Sequence, residues 1–560
     1  MATKWFDERI VSDAAESLLN TLDRSGTKQL ILDRSLGSLV SAIVPFSTLQ
    51  AHGVEKVHWL AKDLSPLTKR LVYIASTDPK SISIVITHAK ACLANDPLVT
   101  LELIVMPGNQ VLVDWLLIEA EIRGDFVIYD LPVYFVPIGP NLTMFMGQVD
   151  TDSLISKTVD GLVHLYRRYG TFGRISGFGA QASRVHELLL DGIGEIQSKS
   201  QAEGGFDYQF GSAFVGTHID HLVLVDRSID WVTPLLNQLT YQGFIDESWG
   251  ISSPGIITTS EGTKCKLTDD LFISLADLNF VQVAPELNAQ ARKLQAEADG
   301  HRRAQTVTEL KEYVQQKLEI HNTLKHNLNV HIDLASRLTA TVKTSLFDAT
   351  LSLEQALLSN LLSTWDAVVK LQQLIYEGCA ASTALRICCL ICICRHGIRE
   401  KYLHMLYDDI VRTYGYRLLA TINKLEKQGI LFSKSDTPAF SSIARAFKLT
   451  NCEEKVAEAY AGYVPLATRL VHNIITGQDT RPIQTFDTVQ KSDNAKEAKL
   501  RRILLRNTPG KQQPIVMVMF IGGVTYSEAA SIRALESVLE RNVRIIVATT
   551  DMINGRDLVG

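Results

Sequence analysis

The spacing of apolar residues changes character along the chain. Over residues 20–150, short apolar runs at 29–32, 57–60, 70–74, 83–86, 101–105 and 134–136 alternate with stretches of helical periodicity. Turn chemistry or charge bounds the runs, as at Asp78-Pro79, Pro107-Gly108 and Gly139-Pro140. This rhythm predicts strands alternating with helices in an α/β layer with a mostly parallel sheet. A second α/β block follows: a helix over 153–169, a glycine-rich passage at 173–179, a helix from Ala182 and a strand over 221–225. The polar stretch 195–211, which holds Gly204-Gly205, reads as an exposed loop.

From about residue 270 to 475 the apolar spacing becomes three and four, and strand signals vanish. Val307, Leu310, Val314, Leu318, His321, Leu324, Leu328, His331, Ala335 and Leu338 form one narrow seam, and a helix with such a seam needs a partner. Leu287, Ala291 and Leu294 mark a shorter helix, with Gly300 read as the break between the two, so a helical hairpin is expected. Residues 477–513 are polar and charged, contain Pro482 and Pro509, and read as a surface loop or linker. The α/β signal then returns as an apolar run over 515–521, a Gly522-Gly523 turn, a helix over 527–539 and a strand over 543–548. A helical block between two α/β stretches predicts that these last strands rejoin the sheet begun near residue 220.

Length and composition narrow the class. A chain of 560 residues exceeds what one core supports, so two to four domains are expected. A hydrophobic share of 46% with 21% charged residues excludes a disordered or fibrous chain. The net charge of −5, with acids and bases mixed, provides no basic field for nucleic acid or an anionic membrane; no nucleic acid partner is expected, and membrane association only indirectly. Lys4, Asp7, Glu8 and Arg9 interrupt the N-terminus, which lacks the apolar stretch of a secretory signal and points to the cytosol. The apolar runs 385–394 and 514–524 fall short of the roughly 20 residues that span a bilayer. Four cysteines, Cys388, Cys389, Cys392 and Cys394, crowd one segment and four are scattered, which resembles no disulfide framework and suits reduced thiols.

Candidate chemistry is sparse. The run from His221 to Val225 delivers Asp226, Arg227, Asp230, Thr233 and Pro234 to the carboxyl end of a strand, where an α/β enzyme places its acids. A phosphoryl-transfer or hydrolytic reading through Asp226 and Asp230 therefore stands beside a structural one, in which Arg227 pairs with one or both carboxylates and pins the strand end to the next turn. Burial discriminates the two, because catalytic acids face a cleft. No phosphate-binding loop occurs, and Gly177-Phe-Gly179-Ala lacks the third glycine of a dinucleotide turn. The passage 521–528 offers an anion-site geometry but reads better as a tight turn with Thr525 or Ser527 as helix N-cap. Cys388, Cys389, Cys392 and Cys394 with His396 have the residue types of a metal cluster, but Cys388 and Cys392 lie four apart inside an apolar helix and no second C-x-x-C pair occurs, so the cysteines read as small hydrophobes rather than zinc ligands. No metal, cofactor or catalytic residue is assigned.

The stretch from Asp226 to Glu247 reads Asp-Arg-x-x-Asp-x-x-Thr-Pro-Leu-x-x-Gln-x-x-Tyr-x-Gly-x-x-Asp-Glu. Further motifs follow in order: Tyr169-Gly170-Thr171; Arg412-Thr-Tyr414-Gly415-Tyr416 with Leu425-Glu-Lys-Gln-Gly429; Ala461-Gly-Tyr463-Val-Pro465-Leu466; Phe520-Ile-Gly-Gly-Val-Thr525 with Ala548-Thr-Thr-Asp-Met-Ile-Asn554-Gly555. Together they resemble the vacuolar-sorting branch of the SM family, the Sec/Munc-type chaperones of SNARE proteins. The likeness covers the C-terminal two thirds by motif and the first 150 residues in pattern alone. It implies an α/β plus α fold, a three-domain arch of two α/β parallel-sheet domains with a large helical insert in the second. The expected bounds are 1–125 for the first domain, 126–245 with 510–560 for the second, and 246–509 for the third, with a hairpin near 285–345 and a bundle near 360–475.

The resemblance further implies a non-catalytic subunit of the HOPS or CORVET tethering complexes, peripheral on late endosomes, lysosomes or vacuoles, whose hairpin templates SNARE assembly. Arg302, Arg303, Lys311, Gln315 and Leu318 are the SNARE-binding candidates, and a plain solvated face is the alternative for them. Arg412 and Tyr416 are the candidates for a helical-repeat tether subunit, since an aromatic beside an arginine suits an interface hot spot. A passive scaffold of the tether is a further alternative. The sequence stops at Gly560, where members of that family continue into a final helix.

Overall fold

The computed structural model describes residues 5–23, 26–67, 70–108, 110–145, 153–170, 172–202, 219–252, 255–302, 318–434, 440–481, 483–489, 513–539 and 543–560. Its first sheet has five parallel strands, β1 (Lys28–Leu32), β2 (Val54–Trp59), β3 (Arg70–Ser76), β4 (Thr100–Met106) and β5 (Phe126–Asp130), in the order β2-β1-β3-β4-β5. Central β3 and β4 are near-continuous apolar runs because helices cover both faces, as parallel sheets require.

Two details differ from the sequence reading. Residues 83–86, expected as a strand, lie inside the helix Pro79–Asn95. Asp78-Pro79 is that helix's start, where the Asp78 carboxylate accepts from the Lys80 N–H and proline takes the first turn. Ile82 and Val85 are buried by the sheet, so tertiary packing overrides their preference for strands. Conversely, β5 is not among the expected runs although it opens on four apolar residues, Phe126-Val-Ile-Tyr129; it is an edge strand with a single fully buried residue, Phe126.

The second sheet has seven strands in the order β12-β8-β9-β13-β14-β7-β6. They are β6 (Phe135–Gly139), β7 (Leu142–Phe145), β8 (Phe172–Phe178), β9 (Ile219–Asp226), β12 (Gln484–Val489), β13 (Ile515–Ile521) and β14 (Arg544–Thr549). The remaining pair, β10 (Ile256–Thr258) and β11 (Lys264–Lys266), forms a separate small hairpin. As the pattern predicted, the C-terminal return enters the sheet: β13, buried at every residue, pairs in parallel with β9 on one side and β14 on the other. Edge strands β6 and β12 run antiparallel.

Strand β12 falls in the stretch expected to be loop. It is mostly polar and becomes a strand only because the edge of β8 offers it a hydrogen-bonding partner. The expected loop at 195–211 is also corrected, since the helix Ala180–Ala202 runs through its first eight residues and 203–211 lies outside the described residues.

Between these strands lies the helical insert. The helices Phe280–Arg302 and Leu318–Val342 pack on each other as the hairpin. Gly300 does not break the first of them, contrary to expectation. The predicted seam holds at the root, where Leu328, His331, Ala335 and Leu338 are buried, but Leu324 is exposed because the hairpin has by then left the body of the protein. Val307, Leu310 and Val314 lie outside the described residues.

The helices Thr364–Tyr376, Ala381–Cys394, Glu400–Tyr414, Leu418–Lys427 and Leu466–Thr476 share one core with a face of the second sheet. Ala381–Cys394 sits at its centre and is buried all round from Ala384 to Cys392. Leu390→Ala at that centre is expected to cost about 2–5 kcal/mol, read as a lower urea midpoint without loss of cooperativity.

Candidate functional site

The Asp-Arg-x-x-Asp stretch forms where β9 ends. Asp226 caps the single-turn helix Arg227–Ile229 by accepting from the Ser228 N–H at 2.9 Å. Its other oxygen accepts from the Gln181 N–H at 2.9 Å, starting the neighbouring helix Ala180–Ala202. That approach needs Gly179, whose φ is +97° and where a Cβ would stand 2.5 Å from the Asp226 side chain.

Arg227 turns inward and is 1% exposed. One guanidinium nitrogen, Nη1, donates to Glu528 Oε2 at 2.6 Å; the other, Nη2, donates to the Asp230 carbonyl at 2.6 Å and lies 3.8 Å from its carboxylate. The Phe520 ring sits 5.9 Å from the guanidinium carbon. Burial works against the arginine's charge, but Glu528 and Asp230 outweigh it and hold the cation firmly protonated. The Asp230 carboxylate also accepts from the Thr233 N–H at 3.0 Å, the Thr233 hydroxyl at 2.5 Å and the Leu466 N–H at 3.3 Å. Pro234, buried, continues the turn.

A second ionic knot follows from the same motif. Arg386, from the central helix of the insert, pairs with Glu247 and, at 3.1 Å, with Glu354, and bonds Asn237. Glu247 accepts the Gln238 N–H at 3.0 Å, and the Gln238 side chain accepts the Ser527 N–H at 3.0 Å. Asp246 accepts from the Asn554 side chain at 3.0 Å, and Asn554 caps the short helix Gly555–Val559. The motif thus joins three stretches distant in sequence: β9, the helical insert and the C-terminal return.

The structural reading of Arg227 therefore holds for Asp230, whereas Asp226 is spent on capping. Both acids are occluded, at 2% and 5% exposure, with their oxygens occupied. A shallow hollow lined by Trp231, Phe432, Phe440 and Ile443 touches Asp230 but finds no free carboxylate oxygen there. Sequence reasoning missed Glu528, Glu354 and Arg386 as partners. Glu528 had a local signal, because Thr525-x-x-Glu528 is a capping spacing and Thr525 caps the helix Tyr526–Val538. The cysteines behave as hydrophobes: burial raises the Cys389 thiol well above its ordinary range and pushes Cys394 up to about 12, against the thiolate a metal would need.

The hairpin's root is closed by His331. Its ring stacks on Phe272, its Nδ1 lies 3.1 Å from the Tyr241 hydroxyl and its Nε2 3.2 Å from the Asp269 carboxylate. Toward the tip, Ile320 is 60% and Leu324 43% exposed on one helix face. Ile320 escaped the sequence reading because it lies outside the seam. Of the expected residues there, Arg303, Lys311 and Gln315 lie outside the described residues, while Arg302 and Leu318 end the two described helices. Arg412 is exposed in the last turn of Glu400–Tyr414, and Tyr416, 80% exposed, follows after Gly415 ends that helix at φ +99°. Leu419, half-exposed, lies one turn further.

The sequence model of the Sec1 family matches residues 28–560. The chain belongs to the Sec1 family. Relatives within reach of it include the Schizosaccharomyces pombe protein named vacuolar protein sorting-associated protein 33, 28% identical with 98% of this chain and 97% of that protein covered. The Arabidopsis thaliana vacuolar protein-sorting-associated protein 33 homolog is 27% identical, covering 98% and 96%. Among solved structures, the SM protein Vps45 in complex with the Qa SNARE Tlg2 superposes at TM-score 0.69 and 18% identity, covering 98% and 97%. The Monosiga brevicollis Unc18–syntaxin 1 complex gives 0.68 at 16%, covering 98% of each chain. These likenesses establish the SM fold expected from the motifs.

Two outcomes follow from the ionic knots of this Sec1-family chain. Arg227→Met is expected to cost about 3–5 kcal/mol by leaving Glu528 buried without its cation, and adding Glu528→Leu to recover part of that loss, measured by chemical denaturation. Burial pushes Glu354 from 4.5 up to about 7, with Arg386 pulling the other way. Between these values the folded chain holds a proton that the unfolded chain releases, so this group's stabilisation is full below about 4.5 and lost as pH rises to 7 and above. Glu354→Gln should flatten that fall in denaturation curves taken from pH 5 to pH 8.

Proposed function

We propose that this chain is a SNARE-binding chaperone of vesicle and lysosome or vacuole fusion, acting as a subunit of an endolysosomal tethering complex. Family membership and the near-full-length relatives named for vacuolar protein sorting support this reading. So do the neighbours of the same fold solved with a Qa SNARE or with syntaxin 1. The observation that carries it is the hairpin, rooted in its own core at Leu328, His331 and Leu338 and bearing exposed Ile320 and Leu324 beyond that root.

The physical value of such a surface is entropic. Ordering a disordered segment costs of order 1 kcal/mol per residue, so a rigid helix that accepts apolar side chains at i, i+3, i+4 and i+7 offsets part of that cost and sets register. Arg302, Arg303, Lys311, Gln315 and Leu318 belong to the same template in this reading. Arg412 and Tyr416 form the tether contact, where an exposed aromatic stands beside a cation placed at a helix C-terminus. The working division is 1–125, 126–245 with 510–560, and 246–509. Among the described residues no helix is long and apolar enough to cross a membrane. In this reading, attachment to endosomal or vacuolar membranes runs through the partners.

Replacing both Ile320 and Leu324 by Asp should weaken capture of isolated SNARE motifs at least tenfold in a pull-down or titration, with the thermal melt unchanged. Undiminished capture would remove the template reading, and absence of any capture by the wild-type chain with its tether partner present would leave a passive scaffold. Tyr416→Asp should abolish co-purification with a helical-repeat subunit while SNARE capture persists.

A further inference from the structure

Strand β12 docks on the second sheet in the manner of a bound peptide. Its backbone pairs antiparallel with the outer edge of β8, from Phe486 opposite Gly177 to Val489 opposite Arg174. Successive side chains of a strand point to opposite faces, and β12 uses both. On one face the Phe486 ring stacks on His186, with centroids 4.1 Å apart and planes 17° apart. It occupies the space left by Gly177, where a Cβ would stand 2.1 Å from the ring. On the other face the Asp487 carboxylate receives the Arg174 guanidinium through two nitrogens and the Ser176 hydroxyl at 2.9 Å. At the strand's start the Thr485 hydroxyl accepts from the Gly179 N–H at 2.8 Å.

The receiving edge does not depend on this occupant. On its other side β8 is paired with β9 along its length, and Ser176 keeps a 2.8 Å bond to His221. By contrast, β12 brings one apolar ring, an ion pair whose members are 47% and 31% exposed, and, apart from Val489 at its end, polar side chains. An ion pair so open to solvent adds little, so the ladder and the ring hold most of the strand.

We propose that the outer edge of β8 is a β-augmentation site that takes an extended segment carrying an aromatic residue followed directly by an acid, and that β12 is its intramolecular occupant, exchangeable for such a segment of a partner protein. The chemistry of the partner is read from the slot: the side-chain gap at Gly177 selects the ring, and Arg174 with Ser176 selects the carboxylate on the next residue. Main-chain hydrogen bonds supply affinity and the alternate side chains supply specificity. This site lies on the sheet and is independent of the hairpin.

The test is fluorescence anisotropy with labelled Gln-Thr-Phe-Asp-Thr-Val and the full chain. Emptying the slot with Phe486→Ala and Asp487→Ala together should raise the affinity for the peptide at least tenfold over wild type. Adding Arg174→Glu to that variant should weaken the binding severalfold, as should a peptide with Lys in place of Asp, and a peptide with Ala in place of Phe should not bind measurably. A folded, emptied variant that ignores the peptide, or one that binds the peptide with Ala in place of Phe equally well, overturns the proposal. Should the emptied variant not fold, hydrogen exchange on the wild-type chain decides. The β8 amides bonded to β12 should exchange at least a hundredfold faster than those bonded to β9, and equal protection would make β12 a fixed part of the sheet and overturn the idea.

Discussion

Arg227 carries a permanent charge into a place that water does not reach, and much of the architecture is arranged to make that tolerable. A guanidinium so buried must have its charge and most of its donors answered locally, or several kcal/mol of desolvation go uncompensated. Glu528 answers the charge and the Asp230 carbonyl a second donor, while Nε finds no partner among the described residues; the two come from the C-terminal return and from the end of β9. Their separation along the chain is about three hundred residues, with the whole helical insert between. A hydrophobic contact would accept several registers of β13 against β9, whereas a buried cation accepts only one that brings Glu528 to it. The pair is thus better understood as a specifier of pairing than as a source of stability.

Arg386 repeats the device one layer out. It lies on the most buried helix of the insert and binds Glu247 from the motif and Glu354 from a neighbouring helix. Gly555 packs directly against its side chain, where a Cβ would come within 2.5 Å, so the last turn of the chain closes over the same cation. The two arginines hold sheet, insert and C-terminal return in a single relative placement. In the proposed template role that matters, because a groove that reorients freely would return to its client the entropy it is meant to remove.

The hairpin stands on that base through a third polar contact. His331 is buried among aromatics with both ring nitrogens engaged, one by the Tyr241 hydroxyl and one by Asp269. An aliphatic side chain there would fill the space but would leave Tyr241 and Asp269 without their partner. Beyond this point the helix sheds its packing, and apolar side chains appear on its surface at Ile320 and Leu324. Rigid root and exposed arm are consecutive parts of one helix.

What the sequence determined by itself was whatever repeats within a few residues. Continuous apolar runs announced β3, β4, β13 and β14, threefold and fourfold spacing announced the insert, and the Asp-Arg-x-x-Asp stretch announced its family. The cap could be narrowed to Thr525 or Ser527 because a cap and its client N–H lie within three residues, and it is Thr525. Only the tertiary structure decided the rest. Ile82 and Val85 joined a helix because a sheet lay beneath them, β12 became a strand because an edge was vacant, and Arg227 took Glu528 as well as Asp230 while Asp226 turned to capping. For β12 and for Arg227 the deciding partner lies about three hundred residues along the chain, and a linear pattern carries no information about which distant group burial will bring within 3 Å.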